Sequence, residues 1–241
     1  QFNGAEMLVK RYGLLRRELD EFALESHRRA AEAHKHDAFK NEIVSIEVKD
    51  AQGNLTGEPH DADQGIRFDA TIEGIAAVKP ILENGKITAA TASQICDGAS
   101  GVIVCNEKGL KRLGVEPLVR IRQMSVIGHD PVIMLEAPIP ATAHALKKSN
   151  LSAVDIDLFE VNEAFASVPL AWLSATQVDP DKLNVHGGAI ALGHPLGSSG
   201  TKLATTLIHA LKTKKMKLGL QTMCEGGGMA NVTIFENCQT Y

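Results

Sequence analysis

The amino-acid sequence predicts a layered α/β fold with helices packed on a sheet. From about residue 116 onward, apolar runs typical of strands alternate with runs typical of helices, which is the pattern of such a domain. A short glycine-rich turn joins the last two apolar runs, so we expect these two strands to pair antiparallel. With 241 residues the chain can form one large domain or two modest ones, and it can bury a substantial core.

The elements of the second half follow one another closely along the chain. Strands are predicted at short apolar runs and helices between them. The expected strands cover residues 118–124, 156–161, 183–185, 217–223 and 230–236, and the expected helices cover residues 141–149, 164–176 and 199–211.

The first half has a less regular pattern. A strand is predicted where apolar and polar residues alternate, a surface loop where Gly, Asp, Asn and Pro are frequent, and Pro80 limits one short helix. The expected elements are helix over residues 5–36, a strand over 43–48, a loop over 50–64, a short helix over 71–78, a helix over 91–99 and a strand over 101–105.

Composition and charge argue against several classes of partner. The net charge of −4 gives no reason to expect binding to nucleic acid or to an anionic membrane surface. No stretch approaches the run of about 20 apolar residues that a membrane helix needs. The four cysteines show no framework spacing and no C-x-x-C pair, so we expect reduced thiols and a cytoplasmic location. The chain begins at Gln1 with a helical pattern almost at once, and it reads as a piece of a longer protein.

Three histidines near the start of the chain suggest a metal site, but the residues around them argue against one. His27, His34 and His36 lie in a predicted helix, and no acidic or cysteine ligand stands beside them at a firm spacing. A solvated helix face is the better interpretation, and we predict no bound metal.

Three segments carry residues typical of chemistry at strand ends. They are VNEAFA over residues 161–166, NVHGGAIALGHPLGSSG over residues 184–200 and CEGGGM over residues 224–229. An α/β sheet places ligands in loops at strand ends, and glycines let the backbone approach a ligand closely. The segments fit neither a phosphate loop nor a dinucleotide fingerprint, because the Gly-Lys-Ser/Thr order and the G-x-G-x-x-G spacing are both missing.

The residue types in these segments point to acyl chemistry on a thioester. His194 can donate a hydrogen bond to a thioester oxygen, and Asn162 can orient a water beside it. Cys224 can give or take a proton near neutral pH if its surroundings lower its pKa. Taken singly, these residues are more often a turn residue, a structural histidine and a small buried apolar residue. Their joint occurrence in glycine-rich loops favours the catalytic interpretation.

The three segments resemble the C-terminal active-site motifs of the thiolase family, which includes acetyl-CoA acetyltransferases and 3-ketoacyl-CoA thiolases. Two further segments, ATASQICDGA over residues 90–99 and APIPAT over residues 137–142, resemble other motifs of this family. The resemblance covers essentially the whole chain. It implies a thiolase-like α-β-α layered fold, with a loop domain over residues 1–90, the end of the N-terminal half-domain over 91–115 and the C-terminal domain over 116–241.

The resemblance also implies roles for single residues. His194 and a water held by Asn162 would form an oxyanion hole for the thioester oxygen. Cys224 would be the acid/base at the α-carbon of acetyl-CoA, and the backbone N–H of Gly226 would contribute to a second oxyanion hole. The residues that match positions along the binding path of coenzyme A are Ser93, Met134, Phe165 and, towards the nucleotide end, Arg67.

The implied activity is acyl transfer between CoA thioesters. It would be thiolytic cleavage of a 3-ketoacyl-CoA or Claisen condensation of acetyl-CoA, in fatty acid or lipid metabolism such as β-oxidation. Coenzyme A would be a substrate, no cofactor would be bound covalently, and the enzyme would be a homodimer or homotetramer. His186 and Leu135 depart from the commonest family pattern near the acyl-chain path, so the chain length of the substrate stays open.

The nucleophile of the family is not found in this sequence. Thiolases attack with a cysteine at a helix start in the N-terminal half, in a Cys-x-Ser setting, and Cys96, Cys105 and Cys238 do not have this setting. We therefore expect that most of the N-terminal half-domain is missing, that it belongs to the same or another polypeptide, and that the chain alone is inactive.

Two other functions compete with a thiolase. A non-catalytic CoA-binding or interaction subunit would also lack the nucleophile. Ketosynthase chemistry is related, but HPLGSSG over residues 194–200 argues against it.

Overall fold

Within residues 1–238, the part of the chain that the computed structural model describes, eight α-helices and six strands are present. The helices are α1 Phe2–Arg11, α2 Arg16–Lys35, α3 Ile72–Ala76, α4 Glu107–Leu113, α5 Pro138–Lys148, α6 Ser167–Thr176, α7 Ala189–Leu192 and α8 Ser199–Thr213. The strands are β1 Ile46–Lys49, β2 Leu55–His60, β3 Val119–Gly128, β4 Leu158–Val161, β5 Leu218–Glu225 and β6 Met229–Asn237.

Four strands of the second half form one mixed sheet in the order β3-β6-β5-β4. β4 and β5 are parallel, with Val161 opposite Thr222, and β6 pairs antiparallel with both β5 and β3. The prediction that the last two strands pair antiparallel is therefore confirmed. The two parallel strands end at the same edge of the sheet, which brings their following residues together.

Helices cover both faces of this sheet. On one face α8 packs Leu207 and Leu211 against Leu158 of β4. On the other face α5 packs against β3, β5 and β6, and α6 brings the ring of Trp172 to a centroid distance of 5.1 Å from that of Phe159. The predicted α-β-α layering is confirmed, because alternate residues of β4 pack into different layers.

The helical stretch predicted over residues 5–36 forms two helices. Gly13, with a φ of +65°, ends α1, and α2 begins at Arg16. α1 packs against α6, and α2 packs against α3, α6 and α7, so both helices join the body of the second half. Residues 50–64, expected to be a loop, contain β2, which pairs with β1 in an exposed antiparallel hairpin.

Three predicted elements do not form in the described part of the chain. In place of a helix over residues 91–99 there is one 3₁₀ turn, Ala89–Thr91, followed by irregular backbone. Residues 101–105 are exposed and form no strand, because no neighbouring strand offers them a hydrogen-bonding ladder. Residues 183–185 make single bridges, including one between Leu183 and Phe159, rather than a strand.

Two helices were not predicted, the short α7 and α4, of which α4 has clear signals at both ends. The side chain of Asn106 accepts a hydrogen bond from the backbone of Gly109 at the start of α4, and Gly114, with a φ of +66°, ends it. Asn before a helix and Gly after it are start and stop signals that the sequence displays.

Candidate active site

Two of the predicted catalytic residues lie at the same edge of the sheet. Asn162 directly follows β4, and Cys224 is the last but one residue of β5, the parallel neighbour of β4. The backbone N–H of Asn162 donates to the carbonyl of Thr222 at 3.1 Å, so the end of β4 is fixed to β5.

The third predicted residue, His194, lies beside Asn162. The Nδ2 atom of Asn162 is 3.4 Å from Nε2 of His194. Asn162 is buried, with 1% of its surface exposed. Burial lowers the pKa of His194 below its usual value, so the imidazole is neutral at neutral pH.

The loop that carries His194 depends on a glycine. Gly193 has a φ of +81°, a conformation that residues with a side chain rarely adopt, and a side chain there would collide with the sulfur of Cys96. The backbone N–H of His194 then donates to the carbonyl of Gln94 at 3.0 Å. The His194 loop is therefore held against the segment that contains Gln94 and Cys96.

The hydroxyl group of Ser199, which was not among the predicted site residues, contacts the imidazole of His194. Oγ of Ser199 is 2.6 Å from Nδ1 of His194 and 2.9 Å from the carbonyl oxygen of Pro195. A hydroxyl has one hydrogen, so its direction sets the tautomer of the histidine. When Ser199 donates to the carbonyl of Pro195, the ring hydrogen is on Nδ1, and when it turns to donate to Nδ1, the ring hydrogen is on Nε2. Nε2 and Nδ2 of Asn162 then present two neighbouring N–H groups, which suits an oxygen that carries negative charge.

Gln94 joins the two halves of the chain at this point. Its Nε2 atom donates to the carbonyls of Gly65 at 2.8 Å and of Ile190 at 2.7 Å. The sequence signal that could have revealed the role of Gln94 is its polar side chain within the motif over residues 90–99. Gln94 therefore fixes α7, and the His194 loop after it, relative to the first half.

Glu163, next to Asn162, is the centre of a buried hydrogen-bond network. Its carboxylate accepts from Oγ of Ser26 at 2.6 Å, from Nδ2 of Asn184 at 2.9 Å and from the backbone of Ile190 at 3.1 Å. Burial raises the pKa of Glu163 despite these donors. The network connects α2, the end of β4 and the glycine-rich loop before His194.

Cys224 differs from the expectation in one respect. Burial raises the pKa of its thiol to about 12. The expected proton exchange near neutral pH would instead need a lowered pKa. The thiol packs against the main hydrophobic core and stays protonated at neutral pH. Such a group is a proton donor to a stronger base, and it is not a general base by itself.

The turn after Cys224 contains Gly226. Gly226 is exposed, and the following Gly227 and Gly228 have φ values of +84° and +83°. The carbonyl of Gly228 accepts from the backbone of His129 at 2.7 Å, which fixes the turn against residues 129–136.

The four predicted coenzyme A contacts lie in different settings. The backbone of Ser93 donates to Ala164, one residue before the buried Phe165. Met134 has a φ of +24°, an unusual value for a residue with a side chain, and is partly buried at the same core. Arg67 is exposed, and its backbone N–H donates to Nδ1 of His27.

The early histidines are explained by other contacts. His27 accepts the hydrogen bond from Arg67, His34 stacks edge-on with Phe68, and His36 lies close to the carbonyl of Glu32. Among residues 1–238, no group of three or more His, Cys, Asp or Glu side chains is placed to hold a metal ion. None of the described helices combines the length and apolar character that crossing a membrane requires.

Comparison with known families gives two matches that together cover most of the chain. Residues 115–237 match the model described as "Thiolase, C-terminal domain", and residues 3–108 match "Thiolase, N-terminal domain". The expectation that most of the N-terminal half-domain is missing is therefore wrong, since the first half of the chain is itself recognised as that domain.

Individual proteins give the same result. The chain is 47% identical to a steroid 3-ketoacyl-CoA thiolase of Mycobacterium tuberculosis, over 98% of this chain and 56% of that protein. It is 46% identical to a 3-ketoacyl-CoA thiolase of Aeromonas salmonicida, over 96% of this chain and 61% of that protein. The chain thus spans less than two thirds of the length of these relatives.

Solved structures with the same fold include two named enzymes. The crystal structure of human mitochondrial 3-ketoacyl-CoA thiolase superposes with a TM-score of 0.90 at 38% identity, over 98% of this chain and 59% of that one. The acetyl-CoA acetyltransferase of Bacillus anthracis gives a TM-score of 0.89 at 36% identity, over 98% of this chain and 59% of that one.

Proposed function

Because the chain belongs to the thiolase family, we propose that it carries the oxygen-binding and proton-transferring part of a thiolase active site. The reaction is acyl transfer between CoA thioesters, as thiolytic cleavage of a 3-ketoacyl-CoA or, in reverse, condensation of acetyl-CoA. The relatives named above as 3-ketoacyl-CoA thiolases support cleavage as the direction.

The observation that carries this proposal is the pair formed by Asn162 and His194. Their side-chain nitrogens are 3.4 Å apart at the edge of the sheet where β5 brings Cys224. Two N–H groups, one of them on a neutral imidazole, suit the oxygen of a thioester enolate. A water held by the amide of Asn162 serves the same purpose when the oxygen lies farther away.

Each group has one task in the cleavage direction. The bond between the α- and β-carbons of the substrate breaks, and its electron pair moves to the α-carbon side as the enolate of acetyl-CoA. His194 and Asn162 stabilise the enolate oxygen. The thiol of Cys224 gives its proton to the α-carbon and becomes a thiolate, which then takes the proton of the incoming coenzyme A thiol. A thiol with a pKa of about 12 fits this order of events, since it starts protonated.

The acyl group must meanwhile be held by a nucleophile, and we place that nucleophile outside these 241 residues. Cys105 and Cys238 are exposed. Cys96 is also exposed, and it follows directly on the segment that binds the His194 loop. None of the three begins a helix of the described part of the chain, a position that lowers the pKa of a cysteine.

The remaining contacts extend the proposal to the rest of the substrate. Ser93, Met134 and Phe165 line the pantetheine path, Arg67 contacts the nucleotide end, and the backbone N–H of Gly226 faces the acyl oxygen. Coenzyme A is a substrate in this scheme, as supported by a solved human relative described as a complex with CoA. We further propose a cytoplasmic enzyme that forms a homodimer or homotetramer.

The test uses the full-length gene product that contains these residues. With acetoacetyl-CoA and coenzyme A, the wild type should show thiolysis, and His194→Ala should lower kcat by about 10²–10³-fold. The matched control is His209→Ala, a half-buried histidine about 15 Å along α8 from Ser199. Binding of coenzyme A without any turnover by the wild type would contradict the proposal and favour a non-catalytic CoA-binding subunit.

A further inference from the structure

Glu160 of β4 and Asn162, which directly follows β4, lie on the same face of the sheet. Residues two apart in a strand point to the same side, and Leu158, two residues earlier, packs against α8. Both side chains therefore lie between the sheet and α8, behind the face that Asn162 presents to His194. Glu160 plays no part in the proposed mechanism.

A small cavity separates these two residues from α8. Its polar lining residues are Glu160, Asn162, Ser199, Lys202 and Thr206. The space open to the centre of a water molecule is about 10 Å³, which is room for about one water.

The polar groups contributed by α8 already have partners. Lys202 donates to Asp63 at 3.0 Å and to the carbonyl of Leu192 at 2.7 Å. Thr206 donates to Glu42 at 3.0 Å. Ser199 is engaged with His194 and Pro195.

Two buried atoms of the lining lack a partner among the described residues. They are Oε2 of Glu160 and Oδ1 of Asn162. Each residue has 1% of its surface exposed, and a buried polar atom without a hydrogen bond is destabilising. A single group that bonds to both atoms would satisfy both.

The charges around Glu160 favour its neutral form. Burial, with the carboxyl groups of Glu163 and Glu42, raises the pKa of Glu160 well above its usual value, while Arg29 and Lys202 oppose this more weakly. A neutral carboxyl group has a hydrogen to donate, whereas a carboxylate only accepts.

We propose that Glu160 is a positioning residue that acts as a neutral acid through one internal water in this cavity. Glu160 donates its hydrogen to the water, and the water donates to Oδ1 of Asn162. Because Oδ1 is then committed to the water, Nδ2 is turned towards His194 and the substrate oxygen. The expected effect of Glu160 on kcat rests on the proposed function, whereas the internal water and the protonated carboxyl group of Glu160 do not.

Kinetics provide the first test, on the full-length gene product with acetoacetyl-CoA and coenzyme A. Glu160→Leu should lower kcat roughly tenfold with little change in KM, because Asn162 loses its orientation but the binding contacts remain. Glu160→Gln should restore most of the activity, since an amide N–H also donates. The matched control is Asp20→Leu, which removes another buried carboxyl group that neither lines the cavity nor acts on Glu160. Equal kcat for Glu160→Leu and Asp20→Leu would overturn the proposal, as would equal loss in Glu160→Gln and Glu160→Leu.

Two structural readouts do not depend on turnover. The infrared difference spectrum between the wild type and Glu160→Gln at neutral pH should contain the carbonyl band of a protonated carboxyl group. A crystal structure of the wild type should show one ordered water within hydrogen-bond distance of Oε2 of Glu160 and Oδ1 of Asn162. Absence of the band or of the water overturns the inference even if Glu160→Leu does not fold. A wild type without thiolysis but with both signals contradicts only the proposed function.

Discussion

The tautomer of His194 depends on a single hydroxyl group at the start of α8. Ser199→Ala removes the hydroxyl group that contacts Nδ1 and that, when it donates there, holds the ring hydrogen on Nε2. We expect kcat for thiolysis to fall about tenfold, with unchanged binding of coenzyme A. Ser198→Ala is the control, because the neighbouring buried hydroxyl donates to the carbonyl of Pro195 and not to the imidazole. Equal kcat values for the two variants would count against the role of Ser199.

Glu42 gives a prediction about pH and stability. Burial raises its pKa from 4.5 to about 7, so its neutral form is the one that the fold accommodates. The stability that the neutral carboxyl group of Glu42 contributes is fully present below its pKa in the unfolded chain, and it is lost as the pH rises through about 7. Glu42→Gln cannot ionise and keeps the oxygen that accepts from Thr206, so we expect it to be more stable than the wild type at pH 8, by about 2–3 kcal/mol.

Urea titrations of the unfolding free energy at pH 4 and pH 8 check this prediction. The difference between Glu42→Gln and the wild type should be close to zero at pH 4. Glu58→Gln, at an exposed position of β2, should match the wild type at both values. A Glu42→Gln variant less stable than the wild type at pH 8 would show that the carboxylate is stabilised in the fold.

The contact between α8 and β5 leaves no room for a larger side chain at Gly219. A Cβ atom at Gly219 of β5 would lie 2.8 Å from Cδ1 of Leu211 and 3.0 Å from Cδ1 of Leu207. We expect Gly219→Val to lower the free energy of unfolding by about 1–3 kcal/mol, because α8 must move away from β5. Thermal unfolding of the variant and the wild type measures this loss of stability. Gly128→Val, also in a strand but with open space around the glycine, is the control and should cost less.

Sequence patterns predict most of the strands and helices of the second half, because these elements have their partners within that half. β5 and β6 have the hydrophobic pattern and the joining turn of an antiparallel pair, and the structure confirms them. Residues 101–105 have an equally good strand pattern, yet they form no strand here, since a strand also requires a neighbour that local sequence does not specify. Motifs single out His194, Asn162 and Cys224 as candidate site residues. The raised pKa of Glu160 depends on packing against distant carboxyl groups, which no motif displays.

At the scale of the whole molecule, the four cysteines divide into one with a proposed role and three without. In the full-length gene product, joint replacement of Cys96, Cys105 and Cys238 by Ser should leave kcat for thiolysis within about threefold of the wild type. Cys224→Ser should lower kcat by about 10²-fold or more, because the proton donor is lost.

Mass spectrometry after incubation with acetoacetyl-CoA locates the acyl group. The acylated peptide should lie outside these 241 residues in both variants. An acyl group on Cys96, or a loss of activity in the triple variant comparable to that of Cys224→Ser, would place the nucleophile in this chain.

The division of the chain into domains at residues 90 and 115 stays a prediction.

The position of β4 in the sheet has a consequence for how the protein is made. β4 is an edge strand whose ladder partner is β5, and about sixty residues separate them along the chain. During synthesis the residues of β4 leave the ribosome well before β5 exists, so their apolar side chains and unpaired backbone must wait for it. Asn162 obtains its backbone partner only when Thr222 arrives. The edge that carries the proposed site is therefore completed only after residue 222 has been made, and a ribosome stalled before it carries a nascent chain in which Asn162 still lacks this backbone partner.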